Sequence, residues 1–210
     1  MRKLVFQMMT SLNGRVDDPD AWVSGVSDDL YAGIEQLYDT YDTVLVGRTT
    51  YEEMAAYWPG AETEEGGTET NRRMAHRMNT YRKYVVSRTG TPGPLPWANA
   101  ELVRIENDDA LVAFIQDLKH QPGRDLHLSG GASLARSVVR LGLVDEFHLF
   151  VYPALSSGLA WFDDVPDNRA LHLVSATTYR DGVLGLTYTA TPGQAPVTVE
   201  RATFTDFLDR

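Results

Sequence analysis

Two periods of hydrophobic and polar positions alternate along the chain. Short apolar runs at residues 3–9, 42–46, 83–87, 101–105 and 143–153, with another from Asp125 up to Gly130, predict strands. Stretches with a 3.6-residue period lie between them and predict helices. Leu30, Ile34, Leu37 and Tyr41 share a face behind Ser27, a natural N-cap. A helix over 71–82 turns Met74 and Met78 inward and Arg72, Arg73, Arg77 and Arg82 outward. Asp108 caps a helix with Leu111, Ile115 and Leu118 on one face, and Leu134, Val138 and Leu141 precede Gly142, placed as a C′ glycine. After the run at 42–46, Thr49/Glu52 and Thr50/Glu53 have capping-box spacing. Residues 59–70 read as a Gly- and Glu-rich surface loop, and 90–97, with three prolines, as an irregular connection. Residues 171–180 and 183–191 form a hairpin around Asp181-Gly182.

This order predicts an α/β fold: one domain with a mixed, mostly parallel central sheet, flanking helices and a C-terminal antiparallel hairpin. The domain runs over 1–191. Residues 192–210 are a C-terminal extension, read as an edge strand, an oligomer contact or a loose tail.

Composition narrows the function. The 210 residues suit one domain, and neither an internal repeat nor a linker divides them. A net charge of −10 disfavours a nucleic-acid partner. With no cysteine, thiolate nucleophiles, disulfides and Cys-ligated metals are excluded. The apolar run near Met1 is too short for a signal peptide, and no segment reaches membrane-spanning length, so a cytoplasmic enzyme or binding protein is expected.

The chemistry gathers at three strand ends: Gly47-Arg48-Thr49, Ser87-Arg88-Thr89 and Gly130-Gly131-Ala132-Ser133. Each joins small residues to donors or a positive charge, and open α/β sheets bind ligands at such ends. A phosphorylated ligand fits; a tight strand-to-helix turn without a ligand is the plain alternative. G-x-G-x-x-G, P-loop, G-x-S-x-G and H-E-x-x-H patterns are absent, and the histidines lack metal spacing. His127, His148 and His172 read as strand-face packing. Asp28 and Asp29 offer a proton donor or serve only their helix N-terminus. Trp22, in a long polar loop, covers a pocket or packs on the core.

In order, four motifs resemble the dihydrofolate reductase-like family, most closely its RibD C-terminal reductase branch. They are Met8-Met-Thr-Ser-Leu-Asn-Gly14, Val44-Leu-Val-Gly-Arg-Thr-Thr-Tyr-Glu52, Tyr84-Val-Val-Ser-Arg88, and Leu128-Ser-Gly-Gly-Ala-Ser-Leu134 with Val144-Asp-Glu-Phe147. The resemblance covers residues 2–190. It implies an NADPH-dependent reductase with Gly47, Arg48 and Thr49 at the pyrophosphate and Ser87 and Arg88 near the 2′-phosphate. Gly130, Gly131, Ala132 and Ser133 would line the pyrophosphate and nicotinamide side, with the Gly-Gly peptide cis. Asn13 and Trp22 are expected on the substrate side, and Asp28 or Asp29 as the catalytic acid. A homodimer and a stand-alone reductase without a deaminase domain are also implied.

The sequence departs from the pattern twice. Asn13 replaces the aspartate of an S-x-D-G turn, losing a charge. Leu155-Ser-Ser-Gly-Leu-Ala-Trp-Phe162 replaces a Gly-rich L-x-G-x-G-x-P-L-F segment, altering the substrate side. The leading expectation is hydride transfer to a ribosylamino-pyrimidine-like heterocycle, as in a 5-amino-6-(5-phosphoribosylamino)uracil reductase. The alternatives are a dihydrofolate or pterin reductase, and a non-catalytic NADP-binding module.

Overall fold

The computed structural model describes residues 1–90, 92–162 and 170–190. The elements in chain order are β1 (Leu4–Ser11), a short 3₁₀ turn (Pro19–Ala21), α1 (Asp28–Tyr38), β2 (Tyr41–Gly47), α2 (Arg48–Ala61), α3 (Glu69–Thr80) and β3 (Arg82–Ser87). Then come β4 (Gly93–Pro94), β5 (Ala100–Arg104), α4 (Asp108–His120), β6 (Asp125–Leu128), α5 (Ala132–Arg140), β7 (Glu146–Tyr152), β8 (Leu171–Thr178) and β9 (Leu184–Ala190). The strands make one sheet in the order β4-β5-β3-β2-β6-β1-β7-β9-β8. From β5 to β7 every neighbour is parallel, while β4 and the β8–β9 hairpin add antiparallel edges.

Alternation along the strands divides the core into two layers, because successive side chains point to opposite faces. Leu4, Phe6, Leu45, Leu126 and Leu128 pack with Leu111, Ile115 and Leu118 of α4 and with Leu134 and Val138 of α5. Val5, Val44, Val46 and Val85 lie with Tyr51 of α2 and Met78 of α3, next to a cluster built on Leu30 and Ile34 of α1. Fully burying one such side chain contributes about 1.5–3 kcal/mol. That outweighs intrinsic helix preference, so a helix as short as α5 holds only in place. Gly142, at φ +71°, ends α5: its N–H bonds Val139 O (3.0 Å) and that of Leu143 bonds Val138 O (3.1 Å), a paired Schellman closure.

Several boundaries differ from the sequence pattern. Tyr41 opens β2 instead of closing α1, which stops at Tyr38. Arg82 likewise belongs to β3 and not to the preceding helix. Helix α2 runs on through Pro59 to Ala61, into the stretch expected as a loop. Its N-cap is Gly47 and no capping box forms; Glu52 pairs with Arg48 instead. The cap of α4 is Asn107, whose side chain accepts from Ala110 N at 2.9 Å. Within the proline-rich connection, Gly93–Pro94 pairs briefly with β5. The extension at 192–210 lies outside the described residues.

Asp145 of the Val-Asp-Glu motif anchors the opposite end of the sheet from the three strand ends. Its Oδ2 accepts from Leu4 N at 2.7 Å and lies 2.6 Å from the buried Lys119 Nζ. Lys119 also donates to Leu143 O at 2.7 Å. These bonds fix the starts of β1 and β7, and through them the height at which the strands end.

Candidate active site

Strands β3, β2 and β6 are parallel neighbours, so the three chemically marked ends emerge side by side. Gly47 is level with Val86 of β3, and Leu45 with Leu128 of β6. The chain after β2 turns into α2 on one face of the sheet, and the chain after β6 into α5 on the other. The two turns therefore splay apart and leave a crevice, the topological switch point at which open α/β sheets take ligands.

The glycines make this crevice possible. Ser129 N donates to Leu45 O at 2.9 Å and Gly47 N to Gly130 O at 2.8 Å, carrying the β2–β6 ladder past the last strand residue. The Gly130–Gly131 peptide is cis. Gly130 has φ +107°, and a Cβ on it would lie 3.2 Å from Met8 Cε and 3.8 Å from the Trp161 ring. A Cβ on Gly131 would lie 2.9 Å from Thr50 Oγ1, and one on Gly47 3.4 Å from Gly131 N. The side chains of Met8 and Thr50 already stand against the glycine pair, so an added Cβ on Gly130 or Gly131 would be crowded.

Two helices start at this point, α2 capped by Gly47 and α5 by Gly131, and neither has a side-chain cap. Their first N–H groups and dipoles are directed at the crevice, a setting that favours an anion. Arg48 and Thr49 are exposed, as are Arg88, Thr89 and Ser133. The Arg48 guanidinium pairs with Glu52 at 3.0 Å and reaches the turn after β3, where a Cβ on Gly90 would sit 3.4 Å from its Nη1. Ser87 Oγ accepts from Thr89 N at 3.3 Å, shaping that turn beneath Arg88. The structure thus brings together all ten residues singled out at the strand ends. It adds three that were not singled out as ligands, although all three lie inside the quoted segments: Thr50 against Gly131, and Met8 and Trp161 against Gly130. Position 50 follows an expected ligand residue; Met8 and Trp161 leave no local trace of their role.

The residues expected on the substrate side have other partners. Trp22 is buried, its indole N–H donating to Asp17 O at 2.8 Å and its ring meeting Tyr152 edge-on at 5.7 Å. Asn13 pairs with Ser156, accepting from its N at 3.1 Å and donating to its O at 2.8 Å. Asp29 accepts from Arg180 N at 3.1 Å, tying α1 to the β8–β9 turn. The Ser27 hydroxyl and the Arg180 amide beside it hold its carboxyl below the usual carboxylate range. Asp28 is exposed on the first turn of α1.

Other polar groups serve packing. His127 is buried between Tyr41 (stacked, 4.9 Å) and Tyr38 (edge-on, 5.1 Å), and burial pushes its pKa down to about 4. His148 bonds Glu146 at 2.5 Å. Arg73 and Arg77 clasp Glu35, which they hold near a pKa of about 2. No helix among the described residues is long and apolar enough to cross a membrane.

Comparison with known proteins accords with this geometry. The model of the RibD C-terminal domain family matches residues 2–184. The uncharacterized protein YyaP of Bacillus subtilis is 29% identical over 188 residues, 89% of this chain and 94% of that protein. Among solved structures, a pyrimidine reductase-like protein of Corynebacterium diphtheriae superposes with a TM-score of 0.62 at 15% identity, covering 91% of this chain and 93% of that one. Dihydrofolate reductase of Enterococcus faecalis, complexed with NADP(H), gives a TM-score of 0.58 at 12% identity, covering 90% and 96%. The chain belongs to the RibD C-terminal domain family, whose fold is dihydrofolate reductase-like, and that membership supports an oxidoreductase role.

Proposed function

We propose that this member of the RibD C-terminal domain family is an NADPH-dependent reductase of a ribosylamino-pyrimidine-like heterocycle. One observation carries the reading: two uncapped helix N-termini flank the side-chain-free Gly130–Gly131 peptide, with Arg48 and Arg88 on the same rim. Gly47, Arg48 and Thr49 would hold the pyrophosphate, together with Thr50. Ser87 and Arg88 would meet the 2′-phosphate. Gly130, Gly131, Ala132 and Ser133 would carry the nicotinamide side. A Cβ at Gly131 would crowd Thr50, so the glycine cradle fits a group lying flat on backbone. Bound NADPH would supply the hydride; the protein's part is to orient it and exclude water. Asp28 is the proposed proton donor, with Asp29 as its anchor to the hairpin. The Corynebacterium and Enterococcus proteins support the pyrimidine substrate and the cofactor respectively. A dihydrofolate or pterin substrate is tested alongside. The protein is further proposed to be cytoplasmic and a homodimer; sedimentation of the purified chain checks the second.

The deciding experiment is fluorescence titration with NADPH and NADH, followed by turnover on each substrate class. NADPH should bind well ahead of NADH. Arg88→Ala should weaken NADPH at least tenfold and leave NADH nearly unchanged, since a charge-assisted bond to the 2′-phosphate is worth about 1.5–3 kcal/mol. No binding of either nucleotide defeats the proposal. Binding without turnover on pyrimidine or pterin defeats catalysis and favours a binding module.

A further inference from the structure

The two stretches that depart from the family pattern, the turn at Asn13 and residues 155–162, touch in the folded chain. Asn13 Nδ2 donates to Ser156 O at 2.8 Å, while Oδ1 accepts from Ser156 N at 3.1 Å and from Ser11 Oγ at 2.8 Å. The side-chain amide thus pairs with the backbone of Ser156 as a neighbouring strand would. Further bonds extend the seam: Arg15 Nη1 to Gly158 O (2.8 Å), Leu159 N to Asp17 Oδ2 (2.8 Å), Val16 N to Leu159 O (3.0 Å) and Trp161 N to Gly14 O (3.3 Å). At its end Trp161, 5% exposed, meets Phe6 edge-on at 5.1 Å and backs Gly130.

We infer that Asn13 is a positioning residue: it clamps 154–161 so that Trp161 holds the Gly130–Gly131 peptide in place for the cofactor. The inference rests on the cofactor reading of that peptide. An aspartate at 13 would keep the bond accepted from Ser156 N but lose the one donated to Ser156 O, because a carboxylate has no donor and would set its charge against that oxygen. Asn13 acts through the 154–161 backbone and not by touching a substrate.

The test uses the full chain with N13D and N13A. It reads NADP⁺ affinity by calorimetry and normalised amide exchange over 154–161 in the free protein. At about pH 7.5, N13D should weaken NADP⁺ roughly tenfold, the scale of one lost hydrogen bond, and should speed exchange at Leu159 and Trp161, whose amides hold the seam beyond Ser156. At about pH 4.5, where a carboxyl held against a carbonyl oxygen regains its proton and a donor, both effects should largely reverse. N13A should stay impaired at both pH values. Unchanged exchange in N13D overturns the clamp. Wild-type affinity despite faster exchange overturns the positioning role. If the wild-type protein does not bind NADP⁺, the cofactor reading fails as a separate result, and exchange alone then decides the clamp.

Discussion

Gly47 donates its backbone N–H to the carbonyl oxygen of Gly130 at 2.8 Å, tying the end of β2 to the glycine pair beyond β6. The bond extends the β2–β6 ladder to the point where α2 and α5 part. Gly130 is a glycine for two reasons, its φ of +107° and the Met8 methyl that a Cβ would meet at 3.2 Å.

Gly130→Ala should therefore be costly. Its φ of +107° is unfavourable to any side chain, and the added Cβ would stand 3.2 Å from Met8 Cε. Urea unfolding should show a loss of about 1–3 kcal/mol. Gly60→Ala is the control: its Cβ meets nothing within 4 Å on α2, and it should leave stability unchanged or raise it by about 0.4–1 kcal/mol. Equal effects would place the cost elsewhere than in the crevice.

The two acids on the first turn of α1 should separate. Asp29→Asn removes the charge that Arg180 N meets and should lower the melting temperature, with nucleotide affinity kept. The depressed carboxyl contributes stability above its unfolded pKa, lost as pH falls below it, and the variant should lack that loss. Asp28→Asn should keep the melting temperature and lower kcat by about 10²–10⁴-fold at neutral pH if it donates the proton. An unchanged kcat removes Asp28 from the chemistry.

His127 should make the fold acid-sensitive. Burial holds its pKa at about 4, below the unfolded value near 6.5. The unfolded chain therefore binds the proton first, so stability is full above about pH 6.5 and falls down to about pH 4. The loss is on the order of 3 kcal/mol. Glu35 acts in a lower window, from its unfolded value of 4.5 down to about 2. Unfolding curves across pH should show His127→Phe flattening the upper decline and sparing the lower one.

Lys83 tests a buried charge. Its Nζ donates to Met78 O at 2.7 Å and Tyr81 O at 2.6 Å, and lies 4.3 Å from the centre of the Trp97 ring. Burial lowers its pKa to about 8. Lys83→Met fits the space but leaves both carbonyls without that donor, so unfolding should show a loss of roughly 1–3 kcal/mol. A neutral result would mean that the end of α3 finds water instead.

The sequence alone determined the kind and order of the elements, the antiparallel hairpin and the donors at three strand ends. Those depend on neighbours two to four residues apart, where side-chain period and turn chemistry act directly. It misplaced Tyr41 and Arg82, because a boundary between adjoining apolar patterns is settled by what each residue packs against. It gave no sign of how Lys83 is buried, since the carbonyls that receive its ammonium belong to the end of α3. Tertiary structure decided the rest. The insertion of β6 between β2 and β1 makes the crevice, and Asn13 meets Ser156 from 143 residues away. Such pairings depend on crossovers and on burial of both sheet faces at once, which no local window contains.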